Sequence, residues 1–189
     1  VKASFGLQTC NINLYVGNTS NSNITGTTPI NSGTDIKTLS SLYTFNSTDK
    51  YYIIAQAFKN GLSLNDTVQV FVPEAVTNQA RPAGTVAGIN YIDNTSATLV
   101  LHAPNKSSVF LIGEFNDWSQ LNAYQLKKDG EYWWITLTGL TPGKMYAYQY
   151  LVDGAIKISD PYTELVLDPW NDKWINEYYS IYTNLKAYP

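Results

Sequence analysis

The carboxylates of Glu114, Asp117, Asp153, Asp160, Asp168 and Asp172 are the groups through which this chain could run general acid–base chemistry. Cleaving an acetal takes two of them across one bond, about 5 Å apart for retention of configuration or about 6.5–9.5 Å for inversion. Their sequence contexts point elsewhere. Asp117 follows Asn116 in a turn pair, Asp153 precedes Gly154, and Asp160 and Asp168 each precede a proline. Turns favour Asp because its side chain bonds the local backbone, so no catalytic pair is expected within these residues. His102 is the only histidine, and it ends the strand-like run Thr98-Leu99-Val100-Leu101-His102 with no nucleophile elbow nearby. Its expected role is structural. Cys10 is the only cysteine, which excludes an intrachain disulfide and a thiolate metal cluster. The acids lack the alternating spacing of a calcium loop, so neither metal nor cofactor is implied.

Aromatic residues are the richer resource: 15 Tyr, 5 Trp and 6 Phe. Tyr and Trp carry an apolar face and a polar handle, which suits half-wet surfaces, and both also favour strands. The central stretch is Val109-Phe110-Leu111-Ile112-Gly113-Glu114-Phe115-Asn116-Asp117-Trp118. Its first half lacks alternation and reads as a strand covered on both faces. Gly113 breaks the run, and Phe115 and Trp118 then bracket the turn pair Asn116-Asp117. Either the two rings plug the end of a sandwich core, or they form a platform for a flat apolar ligand face such as that of a glucose ring.

Further on come Gly130-Glu131-Tyr132-Trp133-Trp134, Leu140-Thr141-Pro142-Gly143, Tyr146-Ala147-Tyr148-Gln149-Tyr150-Leu151-Val152-Asp153-Gly154 and Asp160-Pro161-Tyr162. Taken in order, this series resembles a family-48 carbohydrate-binding module, an early-set immunoglobulin-like unit that precedes the barrel in many starch-acting glycoside hydrolase family 13 enzymes. The resemblance covers about residues 88–162. The following segment, through Asp168-Pro169-Trp170-Asn171-Asp172-Lys173-Trp174, resembles the connector to the catalytic barrel in secreted Bacteroidetes-type α-amylases. What the resemblance implies is glucan binding through Trp118, with Gln149 where the family has a lysine and Ile156 where it has a second tryptophan. Gln149 can still hydrogen-bond sugar hydroxyls; Ile156 cannot stack like an indole. Asn116 and Trp133 complete the candidate glucan contacts, and Tyr162, Trp170 and Trp174 are candidates for docking on a (β/α)8 barrel. It further implies an inactive chain, scaffold more than binder, from an enzyme that works outside the cytoplasm: secreted, periplasmic or on the cell surface. An independent carbohydrate-binding or adhesin-like tandem of sandwiches is the alternative.

Composition bounds the rest. Charged residues make up 14% and the net charge is −3. Without clustered Lys and Arg there is no footprint for nucleic acid. No apolar run approaches the length of a membrane-spanning helix. Val1-Lys2-Ala3-Ser4-Phe5 lacks a signal peptide's apolar core, and a start at Val rather than Met is expected of a trimmed chain.

The expected fold is all-β: two immunoglobulin-like β-sandwich modules in tandem, with an irregular C-terminal segment. Residues 1–73 form the first module, 74–87 an aperiodic linker, 88–162 the second module, and 163–189 a connector toward a barrel. In the first module, Cys10–Val16 alternates, 17–35 reads as a polar loop, and strands over 51–58 and 67–72 flank a turn at Asn60-Gly61. Its Asn-x-Ser/Thr sites at Asn18, Asn23, Asn46 and Asn65 are at chance level for so Asn-, Ser- and Thr-rich a chain. In the second, strands are expected over 97–102, 108–113, 124–126, 132–137, 144–152 and 155–159. Asp153-Gly154 signals a tight hairpin. Thr141 through Tyr146 has the spacing of a tyrosine corner. Trp133 and Trp134 must point to opposite faces of a strand, one to the core and the other to a surface or interface.

Overall fold

A computed structural model describes residues 2–4, 8–17 and 28–166. The chain divides into two compact units, Val1–Glu74 and Ala75–Pro189, and the regular structure among the described residues is almost wholly antiparallel β-strand.

In the first unit, β1 (Lys2–Ser4) pairs with β4 (Thr38–Ser40). Strands β2 (Cys10–Gly17), β3 (Asn31–Ile36), β5 (Asp49–Lys59) and β6 (Leu62–Val72) form a sheet of order β3-β2-β5-β6. Alternation in β2 sends Cys10, Ile12 and Leu14 into a core shared with Ala3 and Ala57. The β5–β6 hairpin turns at Asn60-Gly61, where φ is 51° and 80°; two left-handed residues give the turn whose twist matches the strands. Both strands run longer than their apolar patterns suggest. Leu62–Asp66 extends β6 because the backbone ladder to β5 asks nothing of side chains, and Leu62 and Leu64 stay exposed. Part of the expected 17–35 loop is likewise a strand. Asn31–Ile36 pairs with β2, and polar side chains serve it: Asn31 donates to the Ser40 carbonyl, and Asn11 accepts from Asp35 N–H.

The second unit stacks two sheets. Strands β7 (Gly88–Asp93), β8 (Ser96–His102), β10 (Lys127–Asp129) and β11 (Tyr132–Leu137) take the order β10-β11-β8-β7; β9 (Val109–Gly113), β12 (Tyr148–Val152) and β13 (Ile156–Ile158) take the order β13-β12-β9. Register explains the core. Trp133 sits opposite Leu101 and Ile135 opposite Leu99 in one sheet, while Tyr150 faces Leu111 and Val152 faces Val109 in the other. These eight side chains, with Leu126 and Ala103, form one cluster. Each large aliphatic or aromatic member contributes about 2–3 kcal/mol by leaving water. All of β9 is buried, including Phe110 and Ile112, which alternate with the core residues. The strand is covered on both faces, as its unbroken apolar run indicates.

Three expected strands are corrected. Asn122–Tyr124 is a 3-10 turn, and only Gln125 bridges, to Phe110. The last strand of the corner begins at Tyr148 rather than 144, because residues 144–147 complete the loop that Tyr146 pins. Thr141 N–H donates to the Tyr146 hydroxyl oxygen at 2.9 Å, and the Thr141 bonds hold the Tyr146 phenol below its ordinary pKa. The final strand shortens to Ile156–Ile158. Its hairpin turns at Asp153 (φ 50°) and Gly154 (φ 70°). Asp153 Oδ1 accepts Ser107 N–H at 2.7 Å and Ser108 N–H at 3.1 Å, which lowers its carboxyl pKa.

The segment read as a linker lies against the second unit. Val76 packs on the core. Lys128 N–H donates to Thr77 O and Gln79 N–H to Lys128 O, both at 2.9 Å, so residues 77–79 run parallel to β10. Gln79 O accepts the Trp134 indole N–H at 2.9 Å. Arg81 lies over the Tyr132 ring at 4.0 Å and pairs with Asp129 at 3.2 Å. Residues 76–81 are a strap across the edge and outer face of this sheet.

Candidate functional site

The Val109–Trp118 stretch ends in a turn built around one glycine. A Cβ on Gly113 would stand 2.6 Å from the Ala147 carbonyl oxygen and 2.9 Å from the Phe115 ring. Only hydrogen fits there. Glu114–Asn116 makes a single 3-10 turn, and Asp117 and Trp118 follow with φ of 51° and 56°. A bulky residue in the left-handed region is a genuine outlier, at a cost of about 1–3 kcal/mol. Trp118 N–H donating to Gly113 O at 2.9 Å and Ser119 N–H donating to Asn116 O at 3.0 Å hold it there. Phe115 stacks on Tyr124, ring centroids 5.3 Å apart, and the Tyr124 hydroxyl donates to Phe115 O at 3.2 Å. The two rings brace the turn, and the Trp118 side chain remains half-buried at its rim.

Gln149 is the neighbour that matters. It pairs with Ile112 in the β9–β12 ladder, next to the Gly113–Tyr148 pair. The Gln149 backbone is therefore one register step from the glycine whose carbonyl holds Trp118. Its Oε1 is buried and, among the described residues, without a hydrogen-bond partner, in a protein interior where such oxygens are usually satisfied. Ile156, at the other end of the sheet opposite Val152, is half exposed.

The other sequence candidates are used differently. Asn116 is buried, and its amide is taken up by backbone: Oδ1 accepts Gly113 N–H at 2.9 Å and Nδ2 donates to Leu111 O at 2.8 Å. Trp133 is fully buried in the sandwich, its indole N–H donating to Ala103 O at 3.0 Å. Neither side chain presents a face to a ligand. Trp134 does point to the opposite side, yet it too is buried, under the strap. Tyr162 is 60% exposed. Trp170 and Trp174 lie outside the described residues, as do Asp168 and Asp172.

Asp160 is the functional-looking residue that its turn context concealed. It is 3% exposed. Oδ2 accepts the Tyr148 hydroxyl at 2.8 Å and the Tyr150 hydroxyl at 3.1 Å, and Oδ1 accepts Tyr162 N–H at 2.9 Å. Burial first, and the Asp160 charge beside them, push both phenols well above the ordinary tyrosine range. The arrangement has no open face for a substrate; it ties the exit segment to β12. His102 pairs with Glu131 at 3.3 Å on the surface.

Among the described residues, no three His, Cys, Asp or Glu side chains gather to hold a metal ion. No helix among them is long and apolar enough to cross a membrane.

No curated protein matches the chain. Among solved structures, a candidate alpha amylase from Salmonella typhimurium is similar at 20% identity and a TM-score of 0.34, over 45% of this chain and 15% of that protein. The chain thus spans a small part of that protein's length. The immunoglobulin-like second unit carries, over residues 86–171, a match to the family of carbohydrate-binding module 48, the isoamylase N-terminal domain.

Proposed function

We propose that this chain is a non-catalytic region of an α-glucan-degrading glycoside hydrolase acting outside the cytoplasm, in which the second unit scaffolds a catalytic barrel and meets glucan through one aromatic platform. The observation that carries the reading is Trp118: a half-buried indole on strained backbone, inside a region that matches a carbohydrate-binding module. Strain held by a dedicated hydrogen-bond set is a reason to look for function at that residue. The Gln149 backbone lies one ladder step from Gly113, and its side-chain oxygen, buried without a partner among the described residues, is a polar group close in register to the platform.

The grip is weak by this reading. Trp133 and Asn116 are buried and Ile156 offers no ring, so one stacking contact must offset association costs of several kcal/mol. Scaffolding draws support from the apolar surface around the exit of the unit. Tyr91 and Ile92 on β7, with Tyr162, Leu165 and Val166 downstream, are exposed, and exposed apolar groups of this kind mark contact surfaces. Affinity electrophoresis of this chain on amylose and pullulan is expected to show slight retardation, lost in Trp118→Ala. Strong retardation would put binding ahead of scaffolding, and retardation indifferent to Trp118→Ala would remove the platform.

A further inference from the structure

We infer that Asn116 is the positioning residue of this surface: its side-chain amide continues the edge ladder of β9 and thereby fixes the left-handed backbone that presents the Trp118 indole. The inference rests on the reading of Trp118 as the sugar platform and adds how that platform is held.

Among the described residues, β9 is the outer strand of its sheet, with β12 on one side and only the single Phe110–Gln125 bridge on the other. Along its open edge, Val109 O is taken by Leu126 N–H at 2.8 Å. Two residues on, no described strand lies beyond Leu111 O or Gly113 N–H. The Asn116 amide supplies both partners, donating to Leu111 O and accepting from Gly113 N–H. A primary amide offers a donor and an acceptor in one plane, as a peptide group does, so this side chain stands in for a neighbouring strand. To place it there, the main chain must fold back within three residues of Gly113. The 3-10 turn at Glu114–Asn116 makes that reversal, and the left-handed Asp117 and Trp118 complete it. Gly113 O then receives Trp118 N–H. The same glycine thus binds Asn116 through its N–H and Trp118 through its carbonyl, and a shift in one bond moves the other.

The site is consequently preorganised, and little of the ordering cost remains for the ligand to offset. Asp at 116 keeps an acceptor for Gly113 N–H but sets a carboxylate oxygen against Leu111 O. Ala leaves both backbone groups orphaned in a buried place.

The test uses the whole chain, isotopically labelled, as wild type, Asn116→Asp, Asn116→Ala and Trp118→Ala, with maltoheptaose as probe. Two quantities are read by NMR: the Trp118 backbone shifts and coupling that report positive φ, and the dissociation constant for maltoheptaose. In Asn116→Asp, Trp118 is expected to leave the left-handed region and the dissociation constant to rise about tenfold. The indole N–H signals of Trp133 and Trp134, bonded to Ala103 O and Gln79 O, should stay in place, which a general loosening of the fold would not allow. Asn116→Ala is expected to behave alike or more severely; if it does not fold, the Asp variant decides. Where Trp118→Ala itself weakens binding, a folded Asn116→Asp that keeps Trp118 left-handed, or that binds within about twofold of wild type, overturns the inference. Where Trp118→Ala binds as wild type does, the platform reading has failed on its own account. The positioning role is then judged by the backbone alone: loss of positive φ supports it and retention overturns it.

Discussion

The Tyr150 hydroxyl donates to Asp160 Oδ2 at 3.1 Å with both residues nearly closed to solvent, and Tyr148, two residues earlier on the same strand, donates to the same oxygen. A carboxylate that looks like a turn former thus ties the exit of the second unit to β12. Removing the acceptor strands two phenol groups and the Tyr162 N–H. Asp160→Ala should cost about 2–4 kcal/mol. All five tryptophans lie in the second unit, so tryptophan fluorescence during urea unfolding reads that loss without interference from the first.

The same pair sets a response to alkali. Both phenols titrate higher in the folded chain than their ordinary pKa of 10.0. Below pH 10 the folded and unfolded states both keep these protons, and the pair contributes no pH dependence. Above it the unfolded chain releases them while the folded chain retains them, so stability falls as pH rises, by at most about 1.4 kcal/mol per pH unit for each tyrosine. Each tyrosine contributes alike while its folded-state proton stays on. Unfolding free energies measured at pH 9 and pH 11 should diverge less in Tyr150→Phe than in wild type; equal slopes would contradict the burial of that hydroxyl.

Gly113 tolerates no side chain. The Ala147 carbonyl lies 2.6 Å from where a methyl group would stand, and backbone cannot swing aside as a side-chain tip can. Gly113→Ala is expected to destabilise the second unit by about 2–4 kcal/mol and to displace Phe115, seen as a change in its ring contacts with Tyr124.

Much of this was legible beforehand where backbone chemistry is local. Asn60-Gly61 and Asp153-Gly154 announce their turns because few residue pairs accept positive φ twice in a row. Val109–Ile112 announces a doubly covered strand, and Thr141–Tyr146 its corner. What stayed hidden depends on partners distant in sequence. Nothing in residues 76–81 marks a strap; their bonds run through backbone to Lys128, through one carbonyl to Trp134 and through Arg81 to Asp129 and Tyr132, all partners distant in sequence. Asn116 and Asp160 carry ordinary turn signals, and only the fold shows their polar atoms turned inward. Alternation sends the adjacent tryptophans to opposite faces, one to the core and the other to a surface or interface; only the fold shows that the strap is what covers the second.

That strap makes its own demand. A chain begun at residue 86, where the family match starts, lacks Val76, the Gln79 carbonyl and the Arg81 stack on Tyr132. It should be less stable than a chain begun at residue 75 by about 2–4 kcal/mol. Hydrogen exchange offers a second reading: the Lys128 and Gln79 amides should be slow in the longer chain, and Lys128 should lose its protection in the shorter one.

We propose Trp118 as the place where the second unit meets α-glucan. The most direct test is a maltoheptaose titration of the whole chain, following the indole N–H signals of wild type and Trp118→Ala. A saturable shift of the Trp118 signal in the millimolar range, about 4 kcal/mol of affinity, is expected, accompanied by the Gln149 side-chain amide and absent from the variant. A Trp118 signal that stays fixed at saturating sugar, or a binding curve unchanged by Trp118→Ala, would contradict it.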